Sequence, residues 1–465
     1  MSAKAQSPEK GPVLSLEDCL KYADETRDLV NKKDAINEIP RILRQHFEFD
    51  SVCLIADENT FAAAGKKVKD ALDGAGITIS GVHIFPAEPR LHAEYEHIRF
   101  MKTWIPSLPG YSRCVPIAVG GGTINDLVKR AAWEIKLPYL CVPTAASVDG
   151  YTAYGASLLM DGFKQTVPCT APRVLVAETE VISKAPPYLS SSGFGDLASK
   201  IIAGTDWLIA AKAGDLGAPG CHAMNPIAWQ MIQNNLIDIL NRSIGAARGD
   251  GDAVNTLFQS LAITGFSMQY MKNSRPVSGA EHLWSHVWEM EDLSVGGVPV
   301  THGHKVTIGT LAATAFTEIF FADPSGPPAP ASGYKRQSKD ERKEEVSRVF
   351  KNSRGRDMVV NEAMEKMLDE KSADKINQAF RDTWKEIRDQ VLEKLLPYAE
   401  LKELLARAQC PLRGETIGLA RNEVIATTLR AQMIRNKYCI LDLAWDMGNM
   451  ETVLKKMEDS EIYLR

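Results

Sequence analysis

At 465 residues the chain is too long for one ordinary core and predicts at least two domains. Its 45% apolar and 24% charged residues are those of a globular protein, and a net charge of −5 gives no reason to expect nucleic acid or an anionic membrane surface as partner. No apolar run suggests a signal peptide or a membrane span, and eight scattered cysteines without a C-x-x-C pair fit a reducing cytoplasm better than a disulfide framework.

Residues 1–12 are polar and are expected to be disordered. An α/β domain with a parallel sheet is expected over 13–189 and a helical domain over 190–465. Leu14 to Phe47 reads mostly as helix, with Leu20, Ala23, Leu29, Ile36, Ile39, Leu43 and Phe47 near helical spacing. Ser51–Ala56 is a short β-rich run ending in Asp57. Lys66–Ala75 reads as a crossover helix, Ile77–Phe85 as a second strand, and a polar, aromatic-rich helix starts near Leu91. Strand Cys114–Val119 then meets three glycines, Gly120 to Gly122, before a helix over Asp126–Ile135 and a strand over Pro138–Val142. Strands alternating with helices of this length predict right-handed βαβ units. Asp161–Gly162, between Ala156–Met160 and Val167, reads as a hairpin turn. Helical patterns dominate from about Ser190, with turns at Gly214–Gly220, Gly249–Gly251 and Gly296–Gly297. Pro324–Ser332 (loop 324–333) predicts an exposed loop, and the charged run Lys335–Arg348 a solvated helix face. Helices are expected at Ala373–Leu395, Leu401–Ala408 and Arg421–Trp445.

Glycines between a strand and a helix let backbone approach a ligand, and the unpaired amides opening the helix attract anions. The run IAVGGGTIND, Ile117 to Asp126, is therefore a candidate pyrophosphate turn, although it is not G-x-G-x-x-G and a ligand-free tight turn explains it equally. Asp57 closes a strand where dinucleotide folds place a ribose-binding acid; a helix N-cap is the plainer role. Thr144 and Ser147 in PTAASVDGY, Pro143 to Tyr151, fall at the ligand-binding edge of such a sheet, and Asp149 could bond a polyol or simply make a turn. Gly193-Phe194-Gly195-Asp196 is expected to open a helix over Leu197–Ala211, with Asp196 either its cap or a metal ligand. His282 and His286 lie four apart on one helix face, and at most one of His302 and His304 is expected to join them. One carboxylate with two imidazoles is the donor set of a catalytic metal with open positions; ordinary satisfied histidines are an equal alternative.

In this order, GGGTIND, PTAASVDG, GFGD, RPVSGAEHLWSH and HGHKV resemble the sn-glycerol-1-phosphate dehydrogenases, within the iron-containing alcohol dehydrogenase and dehydroquinate-synthase-like superfamily. The likeness runs from about Asp50 to the C-terminus and is nearest the longer, bacterial-type members. It implies an N-terminal Rossmann-like domain binding NAD or NADP and an all-helical C-terminal domain holding one divalent ion, Zn, Ni or Fe. The reaction implied interconverts dihydroxyacetone phosphate and sn-glycerol 1-phosphate. Matched motif by motif, the metal ligands are Asp196, His282 and His302, and the substrate-contacting residues Asp149 and His286. The cofactor contacts are Asp57, the turn Gly121, Gly122, Thr123, Ile124, Asn125 and Asp126, the segment Thr144, Ala145, Ala146 and Ser147, and the position of Ala153. Family members are commonly oligomeric. Three residues depart from the pattern: His304 where an acid is usual, Thr307 where a glycine is common, and Ala153 where a serine is usual.

His286 is the expected proton-handling group, and Arg275, Lys164 and Lys305 are candidates for a phosphate handle, each with a structural alternative. Asp57 favours NADH over NADPH. Rival readings are a related polyol dehydrogenase, a dehydroquinate-synthase-like cyclase with no net NADH consumption, and a non-catalytic nucleotide- or metabolite-binding module.

Overall fold

The computed structural model describes residues 12–160 and 163–465. Asp161–Gly162 and the first eleven residues lie outside that range, as does the side chain of Lys164. Among the described residues up to Glu178 there are eight strands: β1 (Asp28–Lys32), β2 (Ser51–Asp57), β3 (Ile79–Phe85), β4 (Cys114–Gly120), β5 (Leu140–Pro143), β6 (Ala156–Met160), β7 (Phe163–Val167) and β8 (Val174–Glu178). Six form one parallel sheet in the order β1–β8–β5–β4–β2–β3, and β6 and β7 pair as a separate antiparallel hairpin.

Both faces of the sheet are covered, as a parallel sheet requires. Along β2, Val52, Leu54 and Ala56 enter one core with Val119, Val142 and Val176, while Cys53 and Ile55 enter the other with Ala118 and Cys141. The switch in strand order between β5–β4 and β2 opens the crevice in which such folds bind ligands.

Five helices matter for the site: α1 (Gly122–Glu134), α2 (Pro187–Ala198), α3 (Lys200–Gly214), α4 (Ala280–Met290) and α5 (His302–Phe320). From α2 onward the chain is helical apart from a two-residue hairpin around Gly296–Gly297.

Several expectations are corrected. Leu14–Phe47 is not mostly helix: β1 interrupts it, because pairing with β8 outweighs a local spacing that suits a helix. β8 itself, a fully buried run without alternation, went unread. Helix α1 starts at Gly122, directly on the glycine turn, rather than at Asp126. Asp196 does not open a helix; Gly193, Gly195 and Asp196 lie inside α2, in its last turns. Arg421–Trp445 is two helices, Arg421–Met433 and Ile440–Asp446, parted near Arg435, whose φ of 61° cannot continue a helix. Ala373–Leu395 likewise divides, into Glu370–Asp382 and Trp384–Lys394. The charged run becomes helix Lys339–Val349 but buries Arg342 and Val346. The Pro-rich loop is pinned to the C-terminal helices, with Thr452 Oγ1 donating to the Ala329 carbonyl at 2.9 Å and Asn449 to that of Pro328.

Helices α2 and α5 cross with backbones in contact. A Cβ on Gly303 would drive into the Ser192 carbonyl, and one on Gly195 would meet Thr307 Oγ1 and the Gly303 carbonyl. Gly193 packs equally tightly on the Ala146 carbonyl. Thr307, one of the departures from the family pattern, thus fills space that Gly195 leaves and donates to the Gly303 carbonyl at 2.7 Å. Replacing Gly303 by Ala is expected to lower stability by about 1–3 kcal/mol by overpacking, read as a shifted urea midpoint, and to weaken metal retention in the same sample.

Candidate metal and cofactor site

The crossing brings together side chains from three helices. Asp196 comes from the end of α2, His282 from the first turn of α4, and His302 from the first residue of α5. One donor atom from each lies within 4.8 Å of the others. The set is one carboxylate oxygen and two imidazole nitrogens, and it fits a divalent Zn, Ni or Fe ion with positions left for substrate.

The outer nitrogens of the histidines are already held. His282 Nδ1 lies 2.7 Å from Glu281 Oε1, and His302 Nδ1 2.7 Å from Glu289 Oε1. Glu289 also reaches His286 Nδ1 at 3.3 Å through its other oxygen. Carboxylates that take the far N–H of a histidine fix its tautomer and turn its lone pair inward, as second partners of metal ligands do. His282 Nε2 accordingly faces Asp196, 3.7 Å from its Oδ1.

Burial, aided by the charge of Lys200, pushes the His282 imidazolium far below the ordinary range. Burial brings His286 to about 4, outweighing Glu289. Both rings are therefore neutral near pH 7 and able to donate a lone pair. For Asp196, burial opposes the charge, but Lys200 and His302 outweigh it and hold the carboxyl below its usual range. Asp149 is shifted the other way, by burial and by the neighbouring Asp196. Its amide donates to Asp196 Oδ2 at 3.0 Å, and its own Oδ2 pairs with Lys200 Nζ at 2.7 Å. Lys200 also reaches Asp196 Oδ1 at 2.8 Å and is fully buried.

A cavity of about 770 Å³ lies beside this cluster. Asp57, Gly121, Gly122, Thr123, Ile124, Thr144, Ala145 and Ser147 line it from the sheet edge and the start of α1, and His302 with its preceding cap residue Thr301 from the start of α5. The amides that open α1 have no side-chain cap, and a Cβ on Gly121 would meet nothing, so the turn is open toward the cavity. Asp57 takes the plainer role as well: its Oδ1 accepts the Thr60 amide at 2.8 Å, capping a short helix.

Four expected cofactor contacts do not line the cavity. Asn125 is buried and donates from Nδ2 to the carbonyls of Gly150 and Tyr151, 3.3 Å each. Asp126 accepts the Ser157 amide at 3.2 Å. Ala146 packs under α2, and Ala153 lies in a small core with Met231 and Phe266. Beside them the buried Lys129 donates to the carbonyls of Gly150, Ala153 and Gly155 at 2.8, 3.1 and 3.0 Å. These residues shape the loop that carries Asp149.

His304 points away from the triad and meets Ser191 Oγ at 3.1 Å, so only His302 of that pair joins. Arg275 is no phosphate handle: its guanidinium donates to the carbonyls of Tyr438 and Gly220 at 2.8 and 2.6 Å. Lys305 lies 3.8 Å from Glu289. Sequence reasoning passed over Glu281, Glu289 and Lys200, although each is at a legible spacing: beside His282, three past His286, and four past Asp196.

A model of the iron-containing alcohol dehydrogenase family matches residues 30–186. A glycerol-1-phosphate dehydrogenase [NAD(P)+] of Bacillus velezensis is 34% identical over 283 residues, 60% of this chain and 68% of the relative. Its counterpart in Geobacillus thermodenitrificans is 30% identical over 62% of this chain and 69% of the relative. Among solved structures, glycerol dehydrogenase of Schizosaccharomyces pombe superposes with a TM-score of 0.55 at 16% identity, covering 95% of this chain and 94% of that one. Sulfoacetaldehyde reductase of Bifidobacterium kashiwanohense, solved with NAD+, gives 0.55 at 15% identity over 94% of this chain and 98% of that one. These two share the fold.

Replacing Glu289 by Gln leaves one acceptor for two imidazoles and is expected to weaken metal binding about 10–100-fold, measured by chelator competition on folded protein. Burial also lowers His304 from 6.5 to about 4. Between those values the unfolded chain binds a proton that the folded one excludes, so the contribution is complete above pH 6.5 and lost toward pH 4. His304→Gln should therefore flatten the fall in stability of the metal-free protein across that window, followed by urea titrations.

Proposed function

Because the chain belongs to the glycerol-1-phosphate dehydrogenase family of the iron-containing alcohol dehydrogenases, we propose that it interconverts dihydroxyacetone phosphate and sn-glycerol 1-phosphate with NAD(H) or NADP(H) and one divalent metal ion. The observation that carries this is the Asp196–His282–His302 cluster beside a cavity lined by an open strand-to-helix glycine turn. When bound, the ion supplies Lewis-acid polarisation of the substrate carbonyl and the nicotinamide the hydride.

The chain's own residues bind, orient and exclude. The α1 amides at Gly122 and Thr123 take the cofactor pyrophosphate, and Asp57 takes a ribose hydroxyl, which favours NADH because a 2′-phosphate would meet its charge. Thr144 and Ser147 line the same edge of the sheet. Asp149 faces the substrate hydroxyl. His286, neutral and with Nδ1 turned to Glu289, presents Nε2 as an acceptor. It therefore suits uptake of the alcohol proton during glycerol-phosphate oxidation, and returns that proton when the ketone is reduced. Burial of the cluster keeps bulk water from the reacting carbon.

All eight cysteines are free and seven are buried, which supports a reducing, cytoplasmic setting. Among the described residues no helix is long and apolar enough to cross a membrane. The outer edge of β3 bears no Lys, Asp, Glu or Pro and exposes Val82 and Ile84, which supports homo-oligomerisation.

NADH oxidation with dihydroxyacetone phosphate, after metal removal and separate return of Zn, Ni and Fe, tests the whole reading. Turnover should vanish with the metal and return with at least one ion. Activity with unphosphorylated dihydroxyacetone alone would point to a polyol dehydrogenase, and bound metal without NADH consumption to a cyclase or a silent binder. His282→Ala should lose both metal and turnover, and an active, metal-free variant would sink the site.

A further inference from the structure

The two carboxylates at the metal site differ in use, and one buried cation touches both. Lys200 Nζ lies 2.7 Å from Asp149 Oδ2 and 2.8 Å from Asp196 Oδ1. It sits one helical turn past Asp196, at the start of α3, with no exposed surface. Asp149 and Asp196 therefore share one ammonium, Asp149 Oδ2 through an ion pair and Asp196 Oδ1 through a hydrogen bond, and the Asp149 amide is bonded to the other oxygen of the Asp196 carboxylate. Released from that ammonium, the Asp149 carboxylate would be free to turn toward an ion held by Asp196 and supply a second anionic oxygen. Carboxylates are good ligands for Zn and Fe, and a fourth protein ligand turns an open, catalytic site into a closed, structural one.

We propose that Lys200 is a positioning residue that holds the Asp149 carboxylate off the metal, so that the ion keeps an open position and Asp149 stays available to substrate. The ammonium does this by geometry as well as by charge. Three donors on a compact head can bond two carboxylates at once, while the buried aliphatic stem fixes where that head lies. The Gln233 side chain, which donates to the Lys200 carbonyl at 2.8 Å, further ties down the start of α3. The proposal rests on the metal reading of Asp196, His282 and His302, and adds to it a reason why Asp149 is not a fourth ligand.

Lys200→Met keeps the stem and removes the ammonium. With Co2+ as the probe ion, its visible spectrum should shift to that of a site with one more oxygen ligand. Metal affinity by chelator competition should stay equal or rise, and turnover should fall about 100-fold, the cost of a displaced catalytic group. Lys200→Arg should recover part of the turnover, and Lys200→Met combined with Asp149→Asn should restore the wild-type Co2+ spectrum. An unchanged spectrum in Lys200→Met overturns the proposal. So does a 10–100-fold loss of metal affinity, which would make Lys200 a mere support for Asp196. Should Lys200→Met fail to fold, Asp149→Asn carries the test: a Co2+ spectrum different from wild type would show that Asp149 is already a ligand. None of these spectra needs substrate. A wild-type protein that binds Co2+ but oxidises no NADH with dihydroxyacetone phosphate would defeat the substrate reading alone.

Discussion

Backbone contact between α2 and α5 is the constraint on which the site depends. Helices packed through ordinary side chains keep their axes 8–10 Å apart, and at a wider spacing Asp196 and His302 would not converge on one point. Gly195 and Gly303 remove the side chains at the crossing, and Gly193 lets the loop after β5 close in from the third side. Donor atoms from three helices then fall within 4.8 Å of one another. The glycines of GFGD and HGH are thus part of the site through the close packing they permit.

That is also why this stretch misled the sequence reading. Two glycines before an aspartate look like a loop opening a helix, because glycine weakens a helix when only local propensity is weighed. Here tertiary packing repays that weakness many residues away, at Thr307 and Gly303, and nothing within GFGD reveals it. The same asymmetry runs through the fold. β2, β3, β4 and β5 were legible because each is a compact β-rich run bounded by turns. β1 was not, because its state is set by β8, some 145 residues on, and β8 is too short and too uniformly buried to show a period. At the site, Asp196, His282 and His302 could be singled out only through the family motifs that contain them, since their spacing alone left ordinary histidines an equal alternative. Glu281, Glu289 and Lys200 were overlooked because a charged residue on a helix is usually solvated, and only burial marks these as partners.

Among the described residues two lysines, Lys129 and Lys200, are wholly buried, and they solve different problems. Lys129 satisfies three carbonyls of the tight loop before β6, a job for a compact multi-donor head. Lys200 balances carboxylates that would otherwise repel each other across a dry site. Buried charges of this kind are a poor source of net stability, since desolvation offsets most of the attraction. What they give is definition: each selects one arrangement of the groups around it and makes the alternatives expensive.

Helix α1 draws these parts together. Its N-terminus opens on the cavity, while its flank, through Asn125, Asp126 and Lys129, grips the loop that bears Asp149. Both grips fall within its first two turns, so the backbone beside the cavity and the loop of Asp149 rest on one short piece of helix. A displacement of the glycine turn would therefore strain the bonds that hold the loop of Asp149. The first two turns of α1 are thus a common anchor for the cavity wall and for the loop of Asp149.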